Sequence, residues 1–240
     1  MTSSDGAERD AHLLKALVAL ADTMVADYDQ FDLLSDLAHS CVQILDVDTA
    51  GLSLAHLGQL GYVAGSSEVM TIIELFQFAH QEGPCMDAFH TGRPVHIVDV
   101  AAERDRWPTW APRALELGFR AADAFPLRLR GETIGALNLY ATRVRPMKER
   151  DIRAATALAD MAAIGIIHDR AHRQRQLVQS QLEAALQSRI VIEQAKGVIS
   201  EREGIDPHEA FERIRQQSRS HNVKLVDVAR QVVDGTLQLD

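Results

Sequence analysis

The stretch from Ala124 to Tyr140, AFPLRLRGETIGALNLY, decides the fold of the larger part of this chain. Two apolar runs, Ala124 to Leu129 and Thr133 to Tyr140, flank Arg130-Gly131. Glycine supplies backbone angles closed to other residues, so the pattern predicts an antiparallel hairpin. Upstream, Thr49 to Ala55 and Leu60 to Ala64 read as two strands separated by Gly58, and Arg93 to Val98 as a further short one. Spacings of three and four link Leu13, Leu17, Leu20 and Met24, then Leu33, Leu34, Leu37, Cys41 and Ile44. They predict two helices, broken near Asp27-Tyr28-Asp29. A helical pattern covers Val69 to Ala79 and stops at the turn Glu82-Gly83-Pro84, another runs to Leu117 before Gly118, and a third starts after Pro146. The expected class for this region is α+β, an antiparallel sheet of about five or six strands flanked by helices.

Beyond it the character changes. From His168 to Gln181 the chain is rich in His, Arg and Gln, with Leu177, Val178 and Leu182 as sparse apolar positions, which reads as an exposed linker helix and a weak dimer seam. An all-α three-helix unit follows. Its first helix carries Leu186, Ile190, Ile192, Ala195 and Ile199 and stops at Gly204. The second opens on Asp206-Pro207-His208-Glu209, an N-cap, a proline at the first helical position and a glutamate placed for a capping box. The third is expected to start near Asn222 and to end at Gly235, with Leu225, Val228, Ala229 and Val232 facing inward. The expected boundaries are a disordered terminus over 1–12, the α+β domain over 13–168, the linker over 169–184 and the helical domain over 185–240.

With 240 residues, 46% hydrophobic and 25% charged, the chain can bury a sizeable core and two domains are expected. A net charge of -9 argues against a nucleic-acid partner for the chain as a whole. The average conceals a division: from Arg173 onward there are ten Lys/Arg and ten Asp/Glu, leaving fifteen basic and twenty-four acidic residues before it. Any contact with RNA or DNA belongs in the last third. Two cysteines, Cys41 and Cys85, make neither a disulfide scaffold nor a zinc site. No apolar run of membrane-spanning length occurs, and a cytoplasmic protein that makes no membrane contact is expected. Phosphate-cradling loops, His-Glu-x-x-His and nucleophile elbows are absent from the sequence, so no catalytic residue and no enzyme is expected.

On the first helix of the tail, Arg189, Glu193, Lys196 and Ser200 follow a spacing of four and three, one helical face, while Ile192, Ala195 and Ile199 occupy another. Gly197 inside a helix costs about 1 kcal/mol relative to alanine, which suggests that another backbone approaches closely there. Arg215, Arg219 and Lys224 add cations on the second helix and its exit. Spacing alone favours an ordinary ion pair on a solvated helix and soluble surface arginines. The run from Ala185 to Ile199, with Ala210-Phe211, Ile214-Arg215, Asn222 and Leu225 to Ala229, resembles the ANTAR family. Members bind paired RNA stem-loops and prevent transcription termination. Ser200 and Ser218 depart from the family pattern, where an apolar residue and alanine are more usual. The resemblance implies that Arg189, Lys196 and Gly197 meet RNA, and it extends to Arg215, Arg219 and Lys224 as further candidates. With no large basic field, affinity is expected to depend on a homodimer engaging two loops.

The upstream region is similar to the GAF sensor domains fused to such modules in actinobacteria. The residues that carry the likeness are Gln81 to Phe89, Thr91 to Val95, Arg106-Trp107-Pro108, Gly118, Phe125-Pro126-Leu127 and Ile134 to Tyr140. GAF domains bind diverse small molecules or none known, so the resemblance implies an unidentified small-molecule effector and no evident cofactor or metal. His80, His90 and His96 near Cys85 lack the tight spacing of a ligand cluster. Cys85 serves as a redox sensor if its thiolate is stabilised and exposed, and as a packing residue if buried. Trp107 and Trp110 suit either a planar ligand or the edge of the core. A GAF-type methionine sulfoxide reductase needs two cooperating thiols, which a predicted helix and a turn do not bring together. Two other readings stand beside the antiterminator: a DNA-binding regulator using the terminal helices, and a dimeric interaction module without nucleic acid.

Overall fold

A computed structural model describes residues 3–22 and 29–237 of the chain, which divides into two units, residues 1–170 and 171–240. The hairpin forms as its sequence demands: β4 (Ala121–Leu129) and β5 (Glu132–Ala141) pair antiparallel, with Leu129 opposite Glu132. Both turn residues have positive φ, 52° at Arg130 and 90° at Gly131, so the arginine shares the left-handed geometry that suits a two-residue hairpin. β1 (Thr49–His56) pairs with β5 and with β2 (Gln59–Gly65), and β3 (Val95–Ile97) closes the far edge. The five-stranded antiparallel sheet has the order β2-β1-β5-β4-β3.

Alternation along the strands gives the sheet two unlike faces. Leu52 and Leu54, Phe125 and Leu127, and Leu137 and Leu139 pack against α1 (Ser3–Asp22), α2 (Gln30–Ile44) and the first turns of α6 (Glu149–Glu203). The opposite face meets α3 (Glu68–His80), α4 (Pro84–Thr91) and α5 (Trp110–Glu116), where Met70, Ile73, Trp107, Trp110 and Phe119 surround Ala122, Ala124 and Tyr140. The second unit contains the rest of α6, α7 (Pro207–His221) and α8 (Leu225–Val233). No described helix is long and apolar enough to cross a membrane.

Four elements differ from their sequence-based expectations. The terminus expected to be disordered over 1–12 is helical from Ser3. Arg9 anchors it by donating from Nε to the Ile44 carbonyl at 2.7 Å and from Nη2 to Asp151 at 2.6 Å, contacts across 35 and 142 positions that local pattern does not reveal. The supposed turn after Glu82 is followed by α4, nucleated by Pro84 at its first position. The three helical segments expected between Pro146 and Gly204 are one helix of 55 residues, because that stretch has no proline and is dominated by good helix formers. Asn222 adopts the left-handed conformation that ends α7, so α8 begins later, at Leu225. The expected break at Asp27-Tyr28 lies outside the described residues; Asp29 caps α2 by accepting from the Phe31 amide at 2.7 Å.

Candidate functional site

The second unit is built around seven buried small or branched residues. Ala195 and Ile199 of α6 meet Ala210 and Ile214 of α7 and Val228, Ala229 and Val232 of α8, with Ile192 packed alongside. Asp206 caps α7 through its Oδ1, which accepts from the His208 amide at 2.7 Å and the Glu209 amide at 3.1 Å. These amides hold its carboxyl below the ordinary aspartate range. The side chain of Glu209 is given to Arg213, at 3.2 Å, and Arg213 also pairs with Glu203, tying the end of α6 to α7.

Burial of Ala195 and Ile199 fixes the azimuth of α6 and sorts the cations singled out above. Arg189, Arg219 and Lys224 are exposed and have no ion pair with a described residue. Lys196 is different: its side chain is only 19% exposed, and Nζ donates to both carboxylate oxygens of Glu193 at 3.0 and 2.9 Å. Arg215 likewise donates to Glu212 at 3.1 Å. An anion therefore meets three open cations directly and reaches the other two only by displacing a glutamate. The close backbone approach expected at Gly197 is absent among the described residues, since a Cβ built there meets none of their atoms within 4 Å.

A second cluster lies within the first unit, on the sheet face covered by α3 and α4. Glu74 is fully buried, and its Oε2 accepts from Ser53 Oγ and Asn138 Nδ2, each at 2.9 Å. Its Oε1 accepts from Gln77 Nε2 at 3.0 Å, and the same nitrogen donates to the Tyr140 hydroxyl at 3.0 Å. Gln77 Oε1 accepts from the Cys85 amide, and Asn138 Nδ2 also donates toward Cys85 Sγ at 3.1 Å. No cation belongs to the network, so burial pushes the Glu74 carboxyl up to about 7 against the pull of its hydrogen bonds. Cys85 is raised well above the ordinary thiol value by burial and then by the neighbouring Glu74 charge. Cys41, across the sheet, is pushed up to about 12 by burial. Both thiols are inert packing residues in this arrangement.

Family models match the chain over both units: a GAF domain over residues 19–167 and an ANTAR domain over residues 180–233. The chain belongs to the GAF domain family. Its tail is an ANTAR domain, and the pair of modules makes it a regulator, since GAF domains are sensors and ANTAR domains are RNA-binding antitermination modules. Solved structures agree on the GAF fold. A GAF domain from a phosphoenolpyruvate-protein phosphotransferase of Coxiella burnetii is 19% identical with a TM-score of 0.54, covering 68% of this chain and 98% of that one. A domain of a putative two-component sensor histidine kinase from Sinorhizobium meliloti 1021 is 18% identical with a TM-score of 0.53, covering 63% and 99%. A free methionine-R-sulfoxide reductase from Neisseria meningitidis, in complex with its substrate, is 19% identical with a TM-score of 0.54, covering 72% and 95%. A comparison with curated proteins returns no match.

Within the GAF domain the other residues singled out above are dispersed. His80 stacks on Phe76, His90 lies against Phe89, and His96 bonds Asp123 at 2.7 Å. Among the described residues no group of three or more His, Cys, Asp or Glu is placed to hold a metal. Trp107 and Trp110 are core, packed edge to face 5.3 Å apart, with the Arg106 guanidinium 4.1 Å from the Trp107 ring centroid. Sequence reasoning passed over Glu74, Gln77, Ser53 and Asn138. A signal existed: Met70, Ile73, Glu74 and Gln77 fall at i, i+3, i+4 and i+7, so two polar residues occupy the inward stripe of α3. Glu82 was also missed as a cap, accepting from the Thr109 and Trp110 amides at 2.8 and 3.0 Å; these bonds outweigh desolvation and lower its pKa.

Proposed function

We propose that this protein is a signal-responsive transcription antiterminator that binds tandem stem-loop RNA as a homodimer. The observation that carries the reading is the set of open cations Arg189, Arg219 and Lys224 on an ANTAR unit whose basic and acidic residues are equal in number. Lys196 and Arg215 join them when RNA phosphates displace Glu193 and Glu212, and Gly197 leaves the helix surface bare beside Lys196. Arginine pairs with a phosphate in two-point geometry or stacks on an unpaired base, which suits a structured RNA loop.

Exposed apolar positions on α6 support dimerisation. Val178, Leu182, Leu186 and Ile190 recur four residues apart and all four are exposed, Leu182 by 61%, as is the neighbouring Leu177. Joining two weakly charged modules raises the effective concentration of the second at its loop, which compensates for a small electrostatic term. An unidentified small-molecule effector acting on the GAF domain supplies the signal. For a soluble protein confined to the cytoplasm, the nascent transcript is the natural partner.

The DNA-binding alternative is disfavoured by α8, whose first turn presents Leu225, Val226 and Asp227 where a recognition helix needs base-reading donors. The reductase chemistry named for one structural relative is disfavoured by two buried thiols on opposite faces of the sheet. A gel shift with a tandem stem-loop RNA, its single-loop version and duplex DNA, in 50 and 200 mM salt, tests the proposal. Tandem RNA is expected to bind tightest and to weaken with salt. Tighter binding of duplex DNA, or equal binding of one loop by a monomer, overturns it.

A further inference from the structure

We propose that the groove beside Gly197 receives one unstacked RNA base carrying an exocyclic amine, an inference that rests on the RNA-binding reading of this unit. Gln194, Gly197, Val198, Glu201 and Arg202 of α6 and Val233 of α8 line an open groove of about 610 Å³. Gln194 and Glu201 lie three residues before and four after Gly197, so the three share one side of the helix. That side adjoins the one bearing Arg189 and Lys196, and a chain of nucleotides that touches the cations passes the groove.

The shape and the chemistry of the groove both favour a base. A Cβ added at Gly197 meets nothing within 4 Å, so the glycine clears no space for any other part of this unit and instead leaves bare backbone at the groove floor. Val198 and Val233 supply apolar walls for a ring, and Arg202, without an ion pair among the described residues, supplies a guanidinium plane for stacking. Gln194 offers an amide donor and acceptor. Glu201, also without a partner among the described residues, offers only acceptors and repels phosphate. The Glu201 carboxylate in this groove favours an amine donor, which adenine, guanine and cytosine carry and uracil lacks.

Full-length wild type, Gly197→Leu and Glu201→Gln, each selected against a tandem stem-loop RNA library with randomised loops, test the assignment. Wild type is expected to enrich an amine-bearing base at one fixed loop position. Gly197→Leu, whose side chain enters open space, keeps its helicity, loses that one preference and binds at least tenfold more weakly. Glu201→Gln, which holds the test should the leucine variant misfold, accepts uracil at that position. The inference is overturned if both variants select the same loops as wild type with equal affinity, or if Gly197→Leu alters dimerisation and leaves base choice intact, which assigns the groove to a second copy. Wild type that retains no library member overturns the underlying RNA reading as well, and that outcome is separable from the others.

Discussion

The GAF and ANTAR units keep their polar side chains in opposite places. In the first, Ser53, Glu74, Gln77 and Asn138 are sealed between sheet and helices, and the carboxyl at their centre has a hydrogen-bond donor at each oxygen and no counter-ion. In the second, the core cluster is apolar and the candidate RNA-binding cations are outside, three of the five open and two held by glutamates a turn away. The difference teaches where each unit is sensitive. A buried network answers to protonation and to packing, because an unpaired polar group in low dielectric is costly. An exposed charged face answers to what binds it, because surface ion pairs contribute little and exchange readily for phosphate.

Removing the centre of the buried network tests that contrast most severely. Glu74→Ala leaves Ser53, Asn138 and Gln77 without their acceptor and opens a cavity, so urea unfolding of the GAF unit should show a loss of at least about 3 kcal/mol. A loss below about 1 kcal/mol breaks the comparison, since Glu74 would then behave like a surface residue. The pH response is next in size. Between the ordinary value of 4.5 and about 7 the folded chain keeps Glu74 protonated while the unfolded chain ionises it. The folded state binds the extra proton, so this contribution is full below pH 4.5 and is lost as pH rises to 7, on the order of 3 kcal/mol in all. Urea midpoints of wild type minus those of Glu74→Gln isolate the group from other titrations, and a flat difference across that window rejects it.

Smaller effects belong to the ANTAR unit. Lys196→Met keeps the half-buried stem and removes the charge, so RNA affinity should fall about tenfold, roughly 1.4 kcal/mol, with stability unchanged within about 0.5 kcal/mol. An equal fall in thermal stability shows instead that the Lys196–Glu193 pair is structural. Asp206→Ala removes the cap of α7 and should cost about 1 kcal/mol in ANTAR unfolding without altering the selectivity between tandem and single-loop RNA. A change in that selectivity ties α7 to loop spacing and sharpens the division between stability and binding.

Local chemistry was most legible where one residue type has one backbone consequence. Gly131 marked the hairpin, Asp206-Pro207 marked the start of α7, and Gly204 marked the end of α6. The inward set Ala195, Ile199, Ala210, Ile214, Val228 and Val232 was readable from period alone. What spacing did not reveal was pairing: Lys196 and Glu193 share a helical face in any solvated helix, and only the packed unit shows the lysine largely covered and bound to its neighbour. The short α4 was hidden because eight residues carry too little period to separate from a turn.

The sequence by itself determined the strands of the sheet, the two-module organisation and the inward face of the ANTAR helices, because dihedral preference and hydrophobic period act over neighbouring residues. Tertiary structure alone decided that Ser53, Glu74, Cys85 and Asn138 meet, that Arg9 reaches Asp151, and that nothing crowds Gly197. Those facts join residues from 21 to 142 positions apart, or concern empty space, and the closure of the chain on itself is what brings such groups together.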